Sequence, residues 1–583
     1  MACCCALTRI LYTMTSSKMT PVEIQAAERV AAVEYTRAER EQLLTGMEVQ
    51  LERYRQLRSI HLPNALAPAE TFDPRIGNTP LPIENVCVVG DAQRSAPRDD
   101  VDVAFATVVQ LRRWLDDGVI SSRRITEIYL ERLRRFGPVL ECVITVIPQR
   151  ALAQADAADA ALAQMGTRTG TRLHGQALGC LHGIPWVAKD LLDTAGIATT
   201  WGAEPYVGQL PSTDAAVVRR LDDAGAVLLA KVSMGALAYG DVWFGGTTRN
   251  PWNVEEGSSG SSAGSASAVS AGLAGFAIGS ETLGSIVNPA MRCGVTGLRP
   301  TFGRVSRAGA MALAWSLDKL GPIARSVEDC AFVTSIINGY DANDPGSIEA
   351  GFSYDHRRGV TGIRVGFNPR DFAINDSDND AGPDACIGAG EVERSALAAL
   401  EGLGVEMREV TLPALPYDAL WTVLHAETAA AFDELTRSGA DDQLIRQDEH
   451  AWPNMWRRAR FIPALEYIQA TRFRRQVMEV MAALFEDIDV LVAPTFTWPY
   501  QLVTNMTGHP ALTLRAGFVQ RPAHGAAAPL GARASAVPGA TEQRVPQGIT
   551  LWGNLFDEGT LLRVGAQLET ALGCHEERPP GYA

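Results

Sequence analysis

The segment from residue 257 to 288 constrains the fold and function of this chain more than any other. It opens with a dense cluster of serine and glycine, GSSGSSAGS, continues into the run ASAVSAGLAGFAIG, and ends in SETLGS. Glycine permits close backbone approach and positive φ angles, and the run that follows predicts an apolar helix of small side chains. A cluster that leads directly into such a helix belongs inside a domain.

Three general interpretations of this cluster fit less well. A flexible linker has this composition, but a linker joins two domains rather than leading into a helix. A phosphate-binding loop lacks G-x-x-x-x-G-K-[ST], and no G-x-G-x-x-G follows a clear strand. Residues 260–264 do fit G-x-S-x-G, the nucleophile elbow of α/β-hydrolases, which would make Ser262 the nucleophile. That elbow needs a preceding apolar strand, and NPWNVEEGSS is not expected to form one.

Composition narrows the function classes. With 583 residues and 46% hydrophobic residues, the chain can form a large core. A net charge of −15 gives no general reason to bind nucleic acid or an anionic membrane, so neither partner is expected. No apolar run of 18 or more residues predicts a transmembrane helix. The ten cysteines form no C-x-x-C pair, which favours free thiols in the cytoplasm.

The chain divides into three regions. Residues 1–19 do not resemble a signal peptide and are interpreted as a disordered tail or a mis-chosen start. Residues 20–100 form an N-terminal helical extension followed by a linker or wrapping arm rich in Pro, Asp and Asn. Residues 101–583 alternate helical and strand patterns, which predicts an α/β domain. Within it, residues 521–546 are interpreted as a low-complexity surface loop between two strands.

Local patterns place the main elements. Helical spacing continues through 21–58. Two helices, FATVVQLRRWLDDG and SSRRITEIYLERLRRFG, open the main domain, and an Ala-rich helix covers 150–165. The run IPWVAKDLLDTAG predicts a short apolar strand with turn signals. The run AVVRRLDDAGAVLLAKV predicts a helix, a glycine turn and a buried strand.

Three ordered motifs resemble the amidase signature family. The stretch SSAGSASAVSAGLAGFAIGSETLGSIVNPAMRCGVTGLRPTFGRVSRAGA, from Ser261 to Ala310, is similar to its central signature. Upstream, LHGIPWVAKD resembles the family pattern G-I-P-x-x-x-K-D, and downstream VLVAPT and NMTGHPALTL are further similarities. The resemblance runs from Val101 to Cys574. It implies an α/β/α layered fold, with a mixed β-sheet surrounded by helices.

The resemblance also implies a catalytic centre. Lys189 falls on the catalytic lysine, Ser261 on the bridging serine, which in the family has a cis peptide bond, and Ser285 on the nucleophile. The spacing between the two serines agrees with that of the family. The backbone N–H groups of the loop that ends at the nucleophile would form the oxyanion hole: Thr282, Leu283, Gly284 and Ser285.

The chain departs from the family pattern at three positions. Leu283 stands where the family usually has the first of two glycines, Val287 stands where an arginine is common, and Ala263 replaces a glycine of the Ser/Gly stretch. No catalytic side chain is removed. The departures concern the geometry of the oxyanion loop and the substrate contacts.

The chemistry requires these residue types. A serine hydroxyl is a weak nucleophile until a base removes its proton. Lys189 follows an apolar strand segment, and burial lowers the pKa of a lysine, so its neutral amine can act as general base. Ser261 can relay the proton because a hydroxyl both donates and accepts. Ser262 and Asp190 are supporting candidates, although Asp190 could equally be structural, and Lys231 is expected to be structural.

Histidines offer a rival centre. His182, His425 and His509 are candidates for a Ser-His-Asp triad, but none lies in a signature that fixes this role. His182 is more typical of packing or hydrogen bonding. No H-E-x-x-H or comparable spacing appears, so neither a metal nor another cofactor is implied.

The predicted function is hydrolysis of a small-molecule carboxylic amide through a seryl acyl-enzyme. The alternatives are an amidotransferase A-type subunit that works with partner chains, a carbamate or ester hydrolase of the same family, and an inactive binding protein. The acidic balance does not favour a tRNA-handling partner, and a homodimer is left open. The pocket walls are expected from loops after residue 310 and from 415–475.

Overall fold

A computed structural model describes residues 19–77, 80–92, 95–166, 181–373, 389–522 and 542–583. The tail 1–18 and most of the low-complexity segment, 523–541, lie outside the described residues. The helices are α1 (Pro21–Ala31), α2 (Arg37–Arg58), α3 (Asp100–Phe105), α4 (Val108–Asp116), α5 (Ser122–Leu140), α6 (Pro148–Gly166), α7 (Ala216–Asp223), α8 (Ala263–Ser270), α9 (Val287–Cys293), α10 (Val327–Ile337), α11 (Pro369–Ala373), α12 (Ala389–Gly402), α13 (Trp421–Ala431), α14 (Asp433–Ser438), α15 (Trp452–Ala459), α16 (Ala464–Asp487), α17 (Tyr500–Thr507) and α18 (Glu558–Leu572). Within the described ranges, none of these helices is long and apolar enough to cross a bilayer.

In the described part of the chain, the strands form one large sheet and three small ladders. The strands are β1 (Val86–Val88), β2 (Val143–Val146), β3 (Pro185–Lys189), β4 (Val227–Val232), β5 (Val242–Trp243), β6 (Gly246–Thr247), β7 (Arg249–Asn250), β8 (Asn253–Gly257), β9 (Phe276–Glu281), β10 (Thr296–Arg299), β11 (Lys319–Ala324), β12 (Ser353–Asp355), β13 (Arg364–Phe367), β14 (Glu406–Glu409), β15 (Val490–Pro494), β16 (Ala511–Pro522) and β17 (Glu542–Gly553). The 11-stranded sheet has the order β14-β13-β15-β17-β16-β10-β11-β9-β3-β4-β2. The ladders pair β1 with β12, β5 with β6, and β7 with β8.

The large sheet is mixed. Strand β3 is parallel to both β4 and β9, and β13 is parallel to β14 and β15. The strands between these two parallel groups pair in antiparallel fashion, including the long β16–β17 hairpin. Helices α8, α9, α10 and α18 pack against the sheet. The predicted α/β fold with a mixed sheet and surrounding helices is confirmed.

The candidate site lies at the carboxyl-terminal ends of three neighbouring strands of this sheet. Strands β3, β4 and β9 are buried along their whole length, as apolar central strands are. Since they run parallel, their carboxyl ends meet at the same edge. Polar residues stand at or near these ends: Lys189 on β3, Lys231 on β4, and Ser280 and Glu281 on β9.

Two local predictions near the site were wrong. The apolar small-residue helix stops at Ser270, and the rest of its run continues through a turn at Gly272, φ +65°, into β9. The chain approaches β3 so closely there that a Cβ at Gly275 would lie 2.8 Å from the Pro185 carbonyl. In addition, NPWNVEEGSS does contain a strand, β8, which among the described residues pairs with β7 and lies outside the large sheet.

The N-terminal extension also differs from the simple pattern. The helical run 21–58 is divided into α1 and α2, because Ala32 adopts the left-handed conformation and Thr36 starts α2 with a capping box. Residues after α2 are mostly irregular and include β1.

At the other end of the chain, β16 reaches Pro522 and β17 begins at Glu542, so both flanks of the segment 521–546 are strand.

Candidate active site

Lys189 ends β3 and is completely buried. Its Nζ lies 2.9 Å from Ser261 Oγ, 3.0 Å from Ser262 Oγ and 2.8 Å from Ser280 Oγ. Burial lowers the pKa of Lys189 well below its ordinary value, and the charges of Asp318 and Glu281 oppose this only in part. A neutral amine keeps one lone pair, so one of the surrounding hydroxyls can donate to it.

Ser262 and Ser280 form a reciprocal pair that holds the start of α8 against the end of β9. The Ser262 hydroxyl donates to the Ser280 carbonyl at 3.0 Å, and the Ser280 N–H donates to Ser262 Oγ at 3.1 Å. There is no space for a side chain at Gly279, where a Cβ would lie 2.8 Å from Ser262 Oγ. The structure therefore places Ser262 beside Lys189, and it adds Ser280, which sequence reasoning missed.

Ser261 is preceded by a cis peptide bond from Gly260. Position 260 accepts only glycine, because a Cβ there would overlap the Gly240 carbonyl oxygen. One residue later, the backbone N–H of Ser262 donates to the Ser285 carbonyl at 3.1 Å. This bond ties the Ser261 segment to the Ser285 segment. Both serines are nearly buried, at 1% and 7% exposure.

The loop from Thr282 to Ser285 joins β9 to α9. Gly284 has φ +83°, and a Cβ there would overlap Gln501 Nε2 and lie 2.6 Å from Asn288 Nδ2. Gln501 in turn donates to Asn288 Oδ1 at 2.8 Å. Glycine at 284 is thus required both by the backbone angle and by the close approach of α17.

Leu283, the departure from the family's paired glycines, has a defined environment. Its side chain is 7% exposed and belongs to an apolar cluster built mainly by the loop before β11 and by α13, α16 and α17. The cluster also contains Val287, the second departure. Residues after 310 and within 415–475, the regions expected to form the pocket walls, contribute to this cluster, and α17 adds to them. Other members of the cluster are Ala314, Leu317, Leu420, Val423, Leu424 and Val503.

Glu281 anchors the turn that carries Ser285, the predicted nucleophile. Its carboxylate accepts from the backbone N–H groups of Ile286 and Val287 at 2.8 and 3.0 Å, and from Arg299 Nη1 at 2.6 Å. Asn505 Nδ2 donates to it at 3.0 Å. Burial alone would raise the pKa of Glu281, but the Arg299 charge and these N–H donors lower it to about 2. Glu281 is therefore an anion that fixes the backbone directly after Ser285.

Thr282 connects the loop to a neighbouring segment. Its hydroxyl donates to Asp318 Oδ1 at 2.5 Å. The other oxygen of Asp318 accepts from the N–H groups of Leu313 and Ala314 at 2.7 and 3.0 Å. Burial raises the pKa of Asp318, and these donors oppose that effect. The contact holds the first residue of the proposed oxyanion loop.

Asp190 lies next to Lys189 in sequence but binds a different lysine. Its carboxylate accepts from the N–H and hydroxyl of Thr200 at 2.7 and 2.5 Å and forms an ion pair with Lys231 Nζ at 3.1 Å. Lys231 also donates to the Leu192 carbonyl at 2.7 Å. This fully buried pair favours the structural alternative for both residues.

The three histidines occupy other positions. His182 Nε2 lies 3.0 Å from the Ala158 carbonyl, and His425 stacks on Trp421. His509 bonds to the Thr507 hydroxyl at 2.8 Å. Burial lowers the pKa of His509 to about 3. Among the contacts of the described residues, none joins these histidines to Ser261 or Ser285. No group of three or more His, Cys, Asp or Glu suited to a metal occurs in the same ranges.

Comparison with known proteins agrees with this geometry. The Amidase family model matches residues 124–562. The chain belongs to the amidase family. This confirms the predicted family and makes the protein an enzyme that acts on carbon–nitrogen bonds.

The relatives of this chain include amidotransferase A subunits and amidases. The A-type subunit of the glutamyl-tRNA(Gln) amidotransferase from Halorhodospira halophila is 35% identical over 526 residues, which cover 82% of this chain and 99% of the relative. The solved peptide amidase from Stenotrophomonas maltophilia is 29% identical, with a TM-score of 0.65 and coverage of 83% and 99%. A bacterial aryl acylamidase of the amidase signature family shares the fold at 20% identity, a TM-score of 0.66 and coverage of 82% and 99%.

Proposed function

We propose that this amidase-family enzyme hydrolyses a small-molecule carboxylic amide through an acyl-enzyme on Ser285. In this mechanism Ser261 relays the proton and Lys189 is the general base. The observation that carries the proposal is the fully buried Lys189 amine, 2.9 Å from the Ser261 hydroxyl. The next residue, Ser262, donates a backbone hydrogen bond to the Ser285 carbonyl, which brings the two segments together.

Acylation follows from this arrangement. Ser285 Oγ attacks the amide carbon and gives its proton to Ser261, while the Ser261 proton passes to the neutral Lys189 amine. The carbonyl oxygen becomes an oxyanion, and backbone N–H groups of the loop 282–285 stabilise it. When the tetrahedral intermediate collapses, the proton on Lys189 returns through Ser261 to the leaving nitrogen. The C–N bond breaks and the amine or ammonia departs.

Deacylation uses the same path. A water molecule attacks the acyl carbon, and its proton passes through Ser261 to Lys189. The second collapse breaks the ester bond and returns a proton to Ser285 Oγ. The product is the carboxylic acid, and the enzyme regains its starting protonation state. One base therefore serves both half-reactions.

The buried ammonium formed in each half-reaction has compensation nearby. The charges of Asp318 and Glu281 favour the protonated form of Lys189. The Ser280 carbonyl, 3.3 Å from Nζ, and the Ser280 hydroxyl accept from it. A protonated lysine has three donors, and the surrounding oxygens satisfy them. Lys189 can thus alternate between a neutral and a charged state without leaving its place.

A second candidate is an amidotransferase A-type subunit. The 35% identity to such a subunit of a glutamyl-tRNA(Gln) amidotransferase favours it, and a protein of this kind would release ammonia for use by partner chains. The 29% identity to a peptide amidase favours the first candidate, an amidase. Both candidates use the same acyl-enzyme chemistry, so they differ in the substrate and in the need for partners.

The test is turnover by the isolated chain. A panel of primary aliphatic amides, glutamine, aryl amides, peptide amides, carbamates and esters is assayed for carboxylate and amine release, with Ser285→Ala as the control. Amide turnover by the wild type that is absent in Ser285→Ala supports the proposal. Activity confined to glutamine that rises with added partner chains supports the amidotransferase alternative. Higher kcat/KM for carbamates or esters than for every amide contradicts the proposed substrate class. Sedimentation of the same sample measures whether the chain is a homodimer.

A further inference from the structure

A stretch of the N-terminal extension, residues 61–76, crosses the segment 312–318 and is called the arm below. Asn64 binds this segment in both directions. Its Nδ2 donates to the Ala312 carbonyl at 2.8 Å, and its Oδ1 accepts from the Ala312 N–H at 2.7 Å. The Asn64 carbonyl also accepts from Trp315 Nε1 at 3.2 Å. One asparagine thus reproduces the pairing of a β-ladder at this point.

A second anchor of the arm acts through an arginine. The Phe72 ring packs edge-on against Phe302, with centroids 5.1 Å apart, and the Arg474 guanidinium lies 3.5 Å from the Phe72 ring centroid. Arg474 is 4% exposed and donates to the hydroxyl and carbonyl of Ser316 at 2.7 and 2.9 Å. A cation over an aromatic face is stabilised, more so when buried. Phe72 therefore packs against the Arg474 guanidinium, which binds Ser316 and also the Met506 carbonyl.

The main domain also binds the same segment. Glu427 of α13 accepts from the N–H and hydroxyl of Ser316 at 2.9 and 2.5 Å. The arm also touches α13, because Asn64 Nδ2 lies 3.4 Å from the Ala431 carbonyl. The segment 312–318 is therefore bound both by the arm and by two helices of the domain, α13 and α16.

The segment passes this order to the active site. Its Leu313 and Ala314 N–H groups bind one oxygen of Asp318, and the other oxygen accepts from the Thr282 hydroxyl. Thr282 is the first residue of the loop that ends at the nucleophile. A continuous path of side-chain and backbone contacts therefore runs from Asn64 to the oxyanion loop.

We propose that the arm is a positioning element of the active site. Asn64 and Phe72 are positioning residues that fix the segment 312–318, so that Asp318 keeps Thr282 and the oxyanion loop in the geometry that the transition state requires. This inference rests on the proposed function of that loop. Displacement of catalytic groups by about 1 Å can cost about 100-fold in rate, so a remote anchor can control turnover.

The experiment compares Asn64→Ala, Asn64→Asp and Phe72→Ala with Asn85→Ala. Asn85 is a matched control, because it belongs to the same extension but binds the Phe352 N–H, away from this segment. Single-turnover acylation, kcat, KM and hydrogen exchange of the peptide covering residues 281–287 are measured for each. Asn64→Asp keeps the size of the side chain but replaces the donor that binds the Ala312 carbonyl with a negatively charged acceptor oxygen, and it is the second variant if Asn64→Ala folds poorly.

We expect the Asn64 and Phe72 variants to lower kcat by about 10- to 100-fold. KM should change little, because an oxyanion donor acts in the transition state and not in substrate binding. Hydrogen exchange of residues 281–287 should accelerate. Asn85→Ala should leave kcat and this exchange unchanged, even if it lowers the thermal midpoint.

Each outcome decides a different question. If the Asn64 and Phe72 variants lose only thermal stability, as Asn85→Ala does, and keep kcat and the exchange rate, the positioning role is wrong. If the wild type hydrolyses no substrate, the proposed function fails. The exchange measurement then still decides the role of the arm, since faster exchange in the variants supports it and unchanged exchange contradicts it.

Discussion

The backbone N–H of Ser262 donates to the carbonyl oxygen of Ser285 at 3.1 Å. This hydrogen bond joins the segment next to Lys189 to the segment that carries the proposed nucleophile. It also gives the two neighbouring serines different roles. Ser262 uses its hydroxyl to hold β9 in place through Ser280, and in the proposed mechanism the Ser261 hydroxyl moves the proton.

Ser261→Ala should therefore slow single-turnover acylation more than Ser262→Ala, because the first removes the relay and the second removes orienting hydrogen bonds. Ser261→Ala combined with Lys189→Ala should be little worse than either change alone, since both break one proton path. A fluorophosphonate probe should label Ser285 in the wild type. A larger loss for Ser262→Ala, with the label on Ser262, would support the nucleophile-elbow interpretation instead.

Lys189→Met should lower kcat by about 10²–10⁴, the usual contribution of general acid–base catalysis. In the wild type, kcat/KM should fall as the pH falls through the lowered pKa of Lys189, because protonation removes the base, and should level off above it. Lys319→Met is the matched control, a second buried lysine whose loss should spare turnover. Near-normal turnover of Lys189→Met, together with an inactive His182 or His509 variant, would favour a histidine triad.

Lys319→Met should stabilise the protein. Lys319 is 2% exposed, and its Nζ has no hydrogen-bond partner within the described ranges of the chain. Burial, assisted by the Arg299 charge, lowers the pKa of Lys319 well below its ordinary value. A buried polar group without a partner costs about 1–3 kcal/mol, so the free energy of unfolding should rise by a similar amount.

The pH dependence of this gain has a defined sign. Unfolded Lys319 is protonated below about pH 10.4, whereas the folded amine stays neutral down to its lowered pKa. The wild type therefore loses stability as the pH falls through this window. Denaturant unfolding should show a larger gain for Lys319→Met at pH 7 than at pH 10, and an equal or smaller gain at pH 7 would show that the amine is paired in the folded protein.

Gly284→Ala should abolish most acylation, since the new methyl group overlaps Gln501 Nε2 and the backbone angle is already positive. Gly573→Ala is a matched control. Gly573 has φ +64°, and a Cβ at this position would meet no atom within 4 Å, so this change carries only the conformational cost of about 1–2 kcal/mol. Equal kcat values for the two variants would show that the loop tolerates displacement.

The sequence predicted the residues that lie within short motifs. Lys189, Ser261 and Ser285 were assigned because each stands in a local pattern, and the structure brings the Lys189 side chain to Ser261 and the Ser261 segment to Ser285. Ser280 and Glu281 were missed, although two polar residues at the end of the buried run FAIGSE were an available signal. Asp318 could not be found in this way, because its partner Thr282 is distant in sequence and the contact depends on the sheet.

The motif alone left open whether Asp190 supports Lys189 or has a structural role. The direction of the Asp190 side chain, which the motif does not specify, favours the structural role. Neighbouring residues of an extended segment point to opposite sides, so Asp190 reaches Lys231 while Lys189 reaches the serines. The helix predicted through the small-residue run failed for a related reason. Glycines at 272 and 275 let the chain turn and enter the sheet, and periodicity alone does not distinguish a short buried strand from a helix.

The alternation along β9 has an evolutionary consequence. Ser280 faces the Lys189 amine, and Glu281, on the other side of the strand, holds the backbone after Ser285, the proposed nucleophile. Inserting or deleting one residue in this strand would exchange the two sides and disable both functions at once. Surface loops of this protein can therefore change in length during evolution. The segment from the start of β9 to Ser285 can change only by substitution, because an insertion or deletion there would reverse the side-chain directions.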